Sequence, residues 1–232
     1  MKITVIYATQ RKSKSSTYNL AQRFIRQLSE TDKVTEFFLP RNMPHFCVGC
    51  WNCFTDFKSC PNYGYIQPIL ESMLEADLLI FTAPVYVYHV PGQMKAFLDH
   101  FGYQWMPHQP RKEMFSKQAL LISTAAGAGT RSTLRDLKDS MTFWGISRIY
   151  TFGKNVHASD WTLVKDKKKS QFQSEADRLS LKIKAENRNV KPHLKIKALF
   201  YAMRFMHKRF KINPADVRYW EAQGWLGKEK PW

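Results

Sequence analysis

Five hydroxyl residues crowd one stretch near the N-terminus, Thr9, Ser13, Ser15, Ser16 and Thr17, with Arg11 among them. Hydroxyls donate to anionic oxygens, and a guanidinium pairs with them through a planar fork. The stretch lies between a short apolar run, Lys2–Ala8, and apolar residues at helical spacing, Leu20, Ala21, Phe24, Ile25 and Leu28. A strand thus feeds a loop at a helix N-terminus, where unpaired backbone N–H groups and the helix dipole favour a phosphate. The plain alternative is that Ser15, Ser16 or Thr17 only caps the helix while water solvates the cations.

A second concentration is the cysteines. Cys47, Cys50, Cys53 and Cys60 fall within fourteen residues, with Pro61 directly after. Three thiols at two-residue spacing with a fourth nearby suit a four-iron cluster. Plain or redox-active thiols, with Cys50 and Cys53 as the candidate pair, are a second chemistry. Zinc is a third, although structural zinc usually draws on two ligand pairs set further apart. The seven histidines are scattered, and His89 is given no role.

These residues need a frame. Apolar runs predict further strands over Lys33–Leu39, Asp77–Ala83, Gln118–Thr124 and Ser147–Phe152. Helical periodicity falls over Ile66–Leu74, from Gly92 through Met94, Phe97, Leu98 and Phe101, and over Arg131–Trp144. Alternating strands and helices predict an α/β fold with a doubly wound five-stranded parallel sheet, ordered 2-1-3-4-5. Ligands of such sheets bind beyond the carboxyl ends of the strands, where loops 9–17, 84–91 and 125–130 converge. Pro84 and Pro91 are expected to keep the middle loop out of the sheet.

At 232 residues and 44% hydrophobic content the chain can bury a large core. It opens on a strand rather than a secretion signal, and its longest charge-free run, Leu78–Met94, contains two prolines and is too short to span a bilayer. A cytoplasmic location is expected, and disulfides are not. The net charge of +17 is uneven, being +6 over residues 1–150 (17 basic, 11 acidic) and +11 over 151–232 (19 basic, 8 acidic). Beyond residue 153 come a charge run at Lys165–Lys169, a helix over Ser174–Arg188, and a helix over His193–Phe210. The last carries an apolar stripe of Ile196, Leu199, Phe200, Met203 and Phe210, expected to dock on the sheet domain or a second subunit rather than on anionic lipid. No nucleic-acid reader motif accompanies the charge.

With these loops in place the sequence resembles the flavodoxin-like NAD(P)H-dependent FMN reductases, a family that includes iron-sulfur flavoproteins. Ala8-Thr9-Gln10-Arg11 and Ser15-Ser16-Thr17 stand for the two halves of its phosphate loop, with Ala8 in place of a glycine and one residue extra. Pro84-Val85-Tyr86, then Pro91-Gly92-Gln93-Met94-Lys95 and Leu98-Asp99, resemble its flavin-contacting turn and the helix after it. Trp220–Trp225 resembles the ending of longer members.

The resemblance implies a flavodoxin-like FMN-binding domain over 1–152, and a basic helical C-terminal extension over 153–232 packed on that domain or on a partner subunit. FMN would be held by Thr9, Arg11, Ser15, Ser16, Thr17, Pro84, Val85, Tyr86, Val87, Ala125 and Gly127. In this reading the turn's backbone N–H and C=O groups meet the flavin's pyrimidine edge, and small residues at 125–129 let the backbone approach the ring. NAD(P)H would be the co-substrate and a small electron-poor acceptor, such as a quinone or nitro compound, would take the electrons. No side-chain acid or base is needed for the hydride step. Cys47, Cys50, Cys53 and Cys60 would be the ligands of a 4Fe-4S cluster. A homo-oligomer is expected. The rival implication is an electron-transfer protein that joins FMN to an acidic redox partner, and a third is a flavin-binding regulatory module.

Overall fold

The computed structural model of the chain describes residues 1–29, 33–187 and 190–232. Five parallel strands, β1 (Ile3–Tyr7), β2 (Val34–Phe38), β3 (Leu78–Pro84), β4 (Gln118–Ala125) and β5 (Arg148–Asn155), form one sheet ordered β2-β1-β3-β4-β5. The order is the expected one, and the fold is flavodoxin-like. β1, the first strand, lies between β2 and β3, so the chain reverses its direction of travel across the sheet at β1/β3.

Alternation along the strands sorts side chains into two layers. Ile6, Leu79, Phe81, Ala119 and Leu121 face α2 (Tyr63–Glu75), α3 (Gly92–His100) and α4 (Thr130–Phe143). Val5, Leu78, Ile80, Leu120 and Ile122 face α1 (Ser16–Leu28) and α5 (Asp166–Glu186). Ser15 caps α1, its hydroxyl accepting from Tyr18 N–H at 3.4 Å.

Several boundaries shift from the expected ones, α2 beginning at Tyr63 rather than Ile66 for example, and three of the shifts have a structural reason. Pro84 does not stop β3 short but is its last residue, opposite Thr124; a residue without an N–H is tolerated where the ladder ends. β5 continues three residues past Phe152 to Asn155. Gly153 looks like a terminator but marks a close approach, since a Cβ there would lie 2.9 Å from Leu134 on α4. The charge run Lys165–Lys169 is helical too, because α5 begins at Asp166 and buries Phe172, Ala176 and Ile183 against the sheet. Arg188, the expected end of this helix, lies outside the described residues.

α6 (Leu194–Phe210) and α7 (Pro214–Ala222) build a third cluster on residues 102–117, where Met106 and Phe115 meet Ile196, Phe200, Trp220 and Trp225. Phe200 stacks on Trp220, whose indole N–H donates to His108 O at 2.8 Å. Tyr219 hydroxyl donates to Pro110 O at 2.8 Å, and His108 Nδ1 lies 2.8 Å from the buried Asp216 carboxylate. Of the stripe predicted to dock, Ile196, Leu199, Phe200 and Met203 turn inward, while Phe210 is exposed.

Candidate active site

At the carboxyl edge of the sheet the three loops enclose a cavity of about 150 Å³. Thr9, Arg11, Ser15 and Ser16 form one wall, Pro84, Val85 and Tyr86 a second, and Thr124, Ala125 and Ala126 a third. Eight residues predicted from sequence therefore meet in one place. Ser15 Oγ lies 2.9 Å from Thr17 Oγ1, and Thr9 Oγ1 accepts from Arg11 N–H at 3.2 Å. Helix geometry leaves the first-turn N–H groups of α1 without intrahelical partners, and they open beside these hydroxyls. The loop thus caps the helix through Ser15 while Thr9, Ser15 and Ser16 line the cavity.

Three predicted residues lie elsewhere. Thr17 is fully buried and reaches the cavity only through Ser15. Val87 points to solvent, 92% exposed at the tip of the turn. Gly127 is exposed, and a Cβ on it would meet nothing within 4 Å, so no close approach depends on it. The glycine that matters is Gly129. It has φ +103°, and a Cβ there would lie 2.7 Å from Val85 Cγ1 and 3.2 Å from Tyr88 Cα.

A fourth wall, Val156, Ala158 and Ser159, was invisible in the sequence because β5 looked finished at Phe152. Arg11 belongs to that wall: its guanidinium donates to Ser159 O at 2.9 Å and pairs with Asp160 at 3.3 Å. Donation from Thr162 N–H, reinforced by Arg11, holds the Asp160 carboxyl below the usual carboxylate range.

The turn after β3 is a tight hairpin. Tyr86 N–H donates to His89 O at 3.1 Å and His89 N–H to Tyr86 O at 3.0 Å, around Val87 (φ 48°) and Tyr88 (φ 67°). Two consecutive left-handed residues make a type I′ geometry, normally supplied by Asn-Gly. A β-branched residue there is strained. The N-terminus of α4 holds the turn in place: Ser132 hydroxyl donates to Tyr88 O, and Asp136 carboxylate takes Val90 N–H at 3.2 Å and sits 3.0 Å from His89 Nδ1. His89 therefore positions the turn. Of the turn's backbone N–H groups, expected together to meet a flavin's pyrimidine edge, two are already bonded: Val85 N–H donates to Thr124 O at 2.9 Å and Tyr86 N–H to His89 O at 3.1 Å. The N–H groups of Val87 and Tyr88 are the ones left outside the turn's own bonds.

All four cysteines line a separate cavity of about 190 Å³ with Trp51, Phe54, His100 and Gly102. Cys47 and Cys50 are exposed; Cys53 and Cys60 are half-buried. Burial, with the neighbouring thiols, pushes Cys53 up to about 11, and burial raises Cys60 as well. Burial of Cys53 therefore disfavours its thiolate, the form a reactive pair with Cys50 would need. Among the described residues no three His, Cys, Asp or Glu side chains are disposed to hold a metal ion.

Comparison with known proteins gives this geometry a context. The profile of the NADPH-dependent FMN reductase family matches residues 1–161. An FMN-dependent NADH:quinone oxidoreductase 2 of Pseudomonas fluorescens is 27% identical over 167 residues, covering 64% of this chain and 84% of the relative. An iron-sulfur flavoprotein of Archaeoglobus fulgidus is 24% identical over 185 residues, covering 78% of this chain and 80% of the relative. The crystal structure of azoreductase AzrA superposes with a TM-score of 0.59 at 16% identity, covering 78% of this chain and 99% of the other. The match runs past β5 through the Val156–Ser159 wall, so it takes in every segment of the cavity. The chain belongs to the NADPH-dependent FMN reductase family and is an NAD(P)H-dependent flavin oxidoreductase.

Proposed function

We propose that the cavity at the carboxyl edge holds FMN and that the enzyme passes electrons from NAD(P)H to a small electron-poor acceptor such as a quinone. One observation carries the reading: hydroxyls and a helix N-terminus on one side of a single cavity, and a strained, rigidly pinned turn on the other. Ser15, Ser16, Thr9 and the first turn of α1 suit a phosphate, and the small side chains of Ala125 and Ala126 leave room for a flat group beside the backbone. The enclosed volume suits the phosphate and ribityl parts, while the open side beside Tyr86 and Tyr88 suits the ring.

Bound FMN supplies a ring that accepts hydride and returns electrons, chemistry intrinsic to the cofactor. The chain's own residues bind and orient. Arg11, held by Ser159 and Asp160, closes the first loop against the fourth wall, and the Val87 and Tyr88 N–H groups are available to carbonyl oxygens at the ring edge. Exposed Val87 and Tyr88 beside the open side suit completion by a second subunit, for which the expected mass in solution is that of a dimer or larger. The reading places the chain in the cytoplasm, where NADH and NADPH are supplied. The test is anaerobic mixing of the flavin-loaded protein with NADH or NADPH, then with a benzoquinone. Rapid bleaching, followed by quinone-dependent return of the yellow colour, is expected; a flavin that neither nucleotide reduces contradicts it.

The four thiols line one cavity, but among the described residues no three of them are disposed to hold a metal ion, so the 4Fe-4S cluster expected of Cys47, Cys50, Cys53 and Cys60 is not supported and no step above depends on it. Iron and sulfide analysis of protein purified without oxygen checks this, since a 4Fe-4S cluster would require about four of each per chain.

A further inference from the structure

α6 presents two apolar faces, and among the described residues the outer one meets another element only where Trp232 touches Tyr201 and Lys197. Its inward face is spent on the third cluster. On the outside, Leu194, Tyr201 and Phe205 are 81%, 43% and 63% exposed. At seven and eleven residues from Leu194, they fall within about 40° of one another on the helix surface. Met206 and Phe210 are also exposed but lie about 120° and 160° around the helix from Leu194, on the docking side, and are not part of this stripe. Lys197 and Lys208 flank the stripe on one side and Arg209 on the other, and from Lys191 to Lys211 the chain holds seven Lys or Arg (191, 195, 197, 204, 208, 209, 211) with no Asp or Glu.

We propose that this outer face of α6 binds an anionic lipid surface, inserting Leu194, Tyr201 and Phe205 at the headgroup boundary while the flanking cations meet lipid phosphates. An exposed apolar stripe edged by cations is what interfacial helices share. Charge decides between occupants. A second copy seated on the same face by a two-fold axis would oppose a like array of cations, whereas an anionic bilayer complements it. A nucleic acid would use the cations but leave the apolar stripe unexplained. Span length plays no part, since no described helix is long and apolar enough to cross a membrane.

The location supports the assignment. The third cluster rests on Phe115, just before β4, and Met106 N–H donates to Phe143 O at the end of α4. Both points lie at the amino edge of the sheet, opposite the cavity, so lipid on α6 leaves the cavity open. The proposal therefore stands independently of the flavin reading.

The test is flotation of the full chain with vesicles of phosphatidylcholine alone or an equimolar mixture with phosphatidylglycerol. The chain is expected to float with the anionic vesicles and not with the neutral ones, and added salt should release it. Lys208→Glu/Arg209→Glu should lower the bound fraction at least about tenfold. Leu194→Ser/Phe205→Ser, which leaves the charge unchanged, should do so by at least about tenfold as well. An unchanged thermal midpoint shows that both variants stay folded, as expected for residues with no packing role. A wild-type chain that stays soluble beside anionic vesicles overturns the proposal. So does a Leu194→Ser/Phe205→Ser chain that floats as well as wild type, because the surface is then merely polybasic. A dimer that depends on Leu194 and Phe205 overturns it too.

Discussion

The two principal walls of the cavity are built by opposite means. The first loop, residues 9–17, is held largely by its own residues: Ser15 caps α1 and bonds the Thr17 hydroxyl, and Lys12 is its one residue at positive φ. The turn at 84–91 goes against local preference, with Val and Tyr in left-handed positions that the Tyr86–His89 hydrogen bonds close and that Gly129, Ser132 and Asp136, at and after the start of α4, pin in place. One wall is held by its own sequence and the other by its neighbours. Strain fixed by tertiary contacts gives a rigid edge, a useful property where a planar ring must be held in one orientation.

The largest expected effect is at the point where the second wall is pinned. Gly129→Ala puts a Cβ against Val85 and Tyr88 at a backbone angle that L residues rarely adopt, and should cost about 3 kcal/mol in urea unfolding while weakening FMN binding. A wild-type-like midpoint would show that the turn is not held by this contact.

Next in size is relief of the strain itself. Val87→Asn/Tyr88→Gly supplies the residues a type I′ turn prefers and should raise stability by about 2 kcal/mol, little packing being lost at so exposed a tip. Activity should fall at the same time, because Tyr88 no longer covers the open side. Unchanged or lower stability would remove the contrast between the two walls.

On the first wall, Ser15→Ala deletes a cap and should cost about 1 kcal/mol of stability. FMN affinity, read by fluorescence quenching, should drop about tenfold with the loss of a hydroxyl beside the phosphate. Arg11→Ala should matter least. Its guanidinium is half exposed, so solvent screens its pair with the less exposed Asp160 and the pair adds little to stability. The Asp160 carboxyl has a lowered folded value, so the contribution is full above the unfolded carboxylate value and is lost as pH falls through the folded one. The Arg11→Ala difference should therefore be constant in urea titrations near neutrality and vanish in strong acid.

The same contrast explains what the sequence could reveal. The sheet order and the hydroxyl loop were legible because strand alternation and capping are local signals, and Thr9, Ser15, Ser16, Pro84, Val85, Tyr86 and Ala125 do meet in one cavity. The left-handed turn was not legible, since nothing in Val87-Tyr88 announces it and its cause sits some forty residues away at Gly129 and Ser132. For the same reason Gly127 drew the attention that belonged to Gly129: composition shows a small residue but not which backbone passes over it. The Val156–Ser159 wall was hidden by Gly153, where α4 crosses close above β5. In the tail, the periodicity of α6 showed its docking stripe, while its outer stripe became visible only once packing had claimed the other side.

The central claim, that the cavity beyond the sheet holds a flavin phosphate at the start of α1, is tested most directly by Ser16→Asp. A carboxylate in the first turn of a helix stabilises the helix through its dipole, so the fold should be kept or strengthened. The same charge would sit where the phosphate must bind. Titrating FMN into flavin-free protein should give tight one-to-one binding for wild type and loss of at least about a hundredfold in affinity for Ser16→Asp, with the thermal midpoint unchanged or raised. Equal FMN affinity in the two proteins would contradict the account.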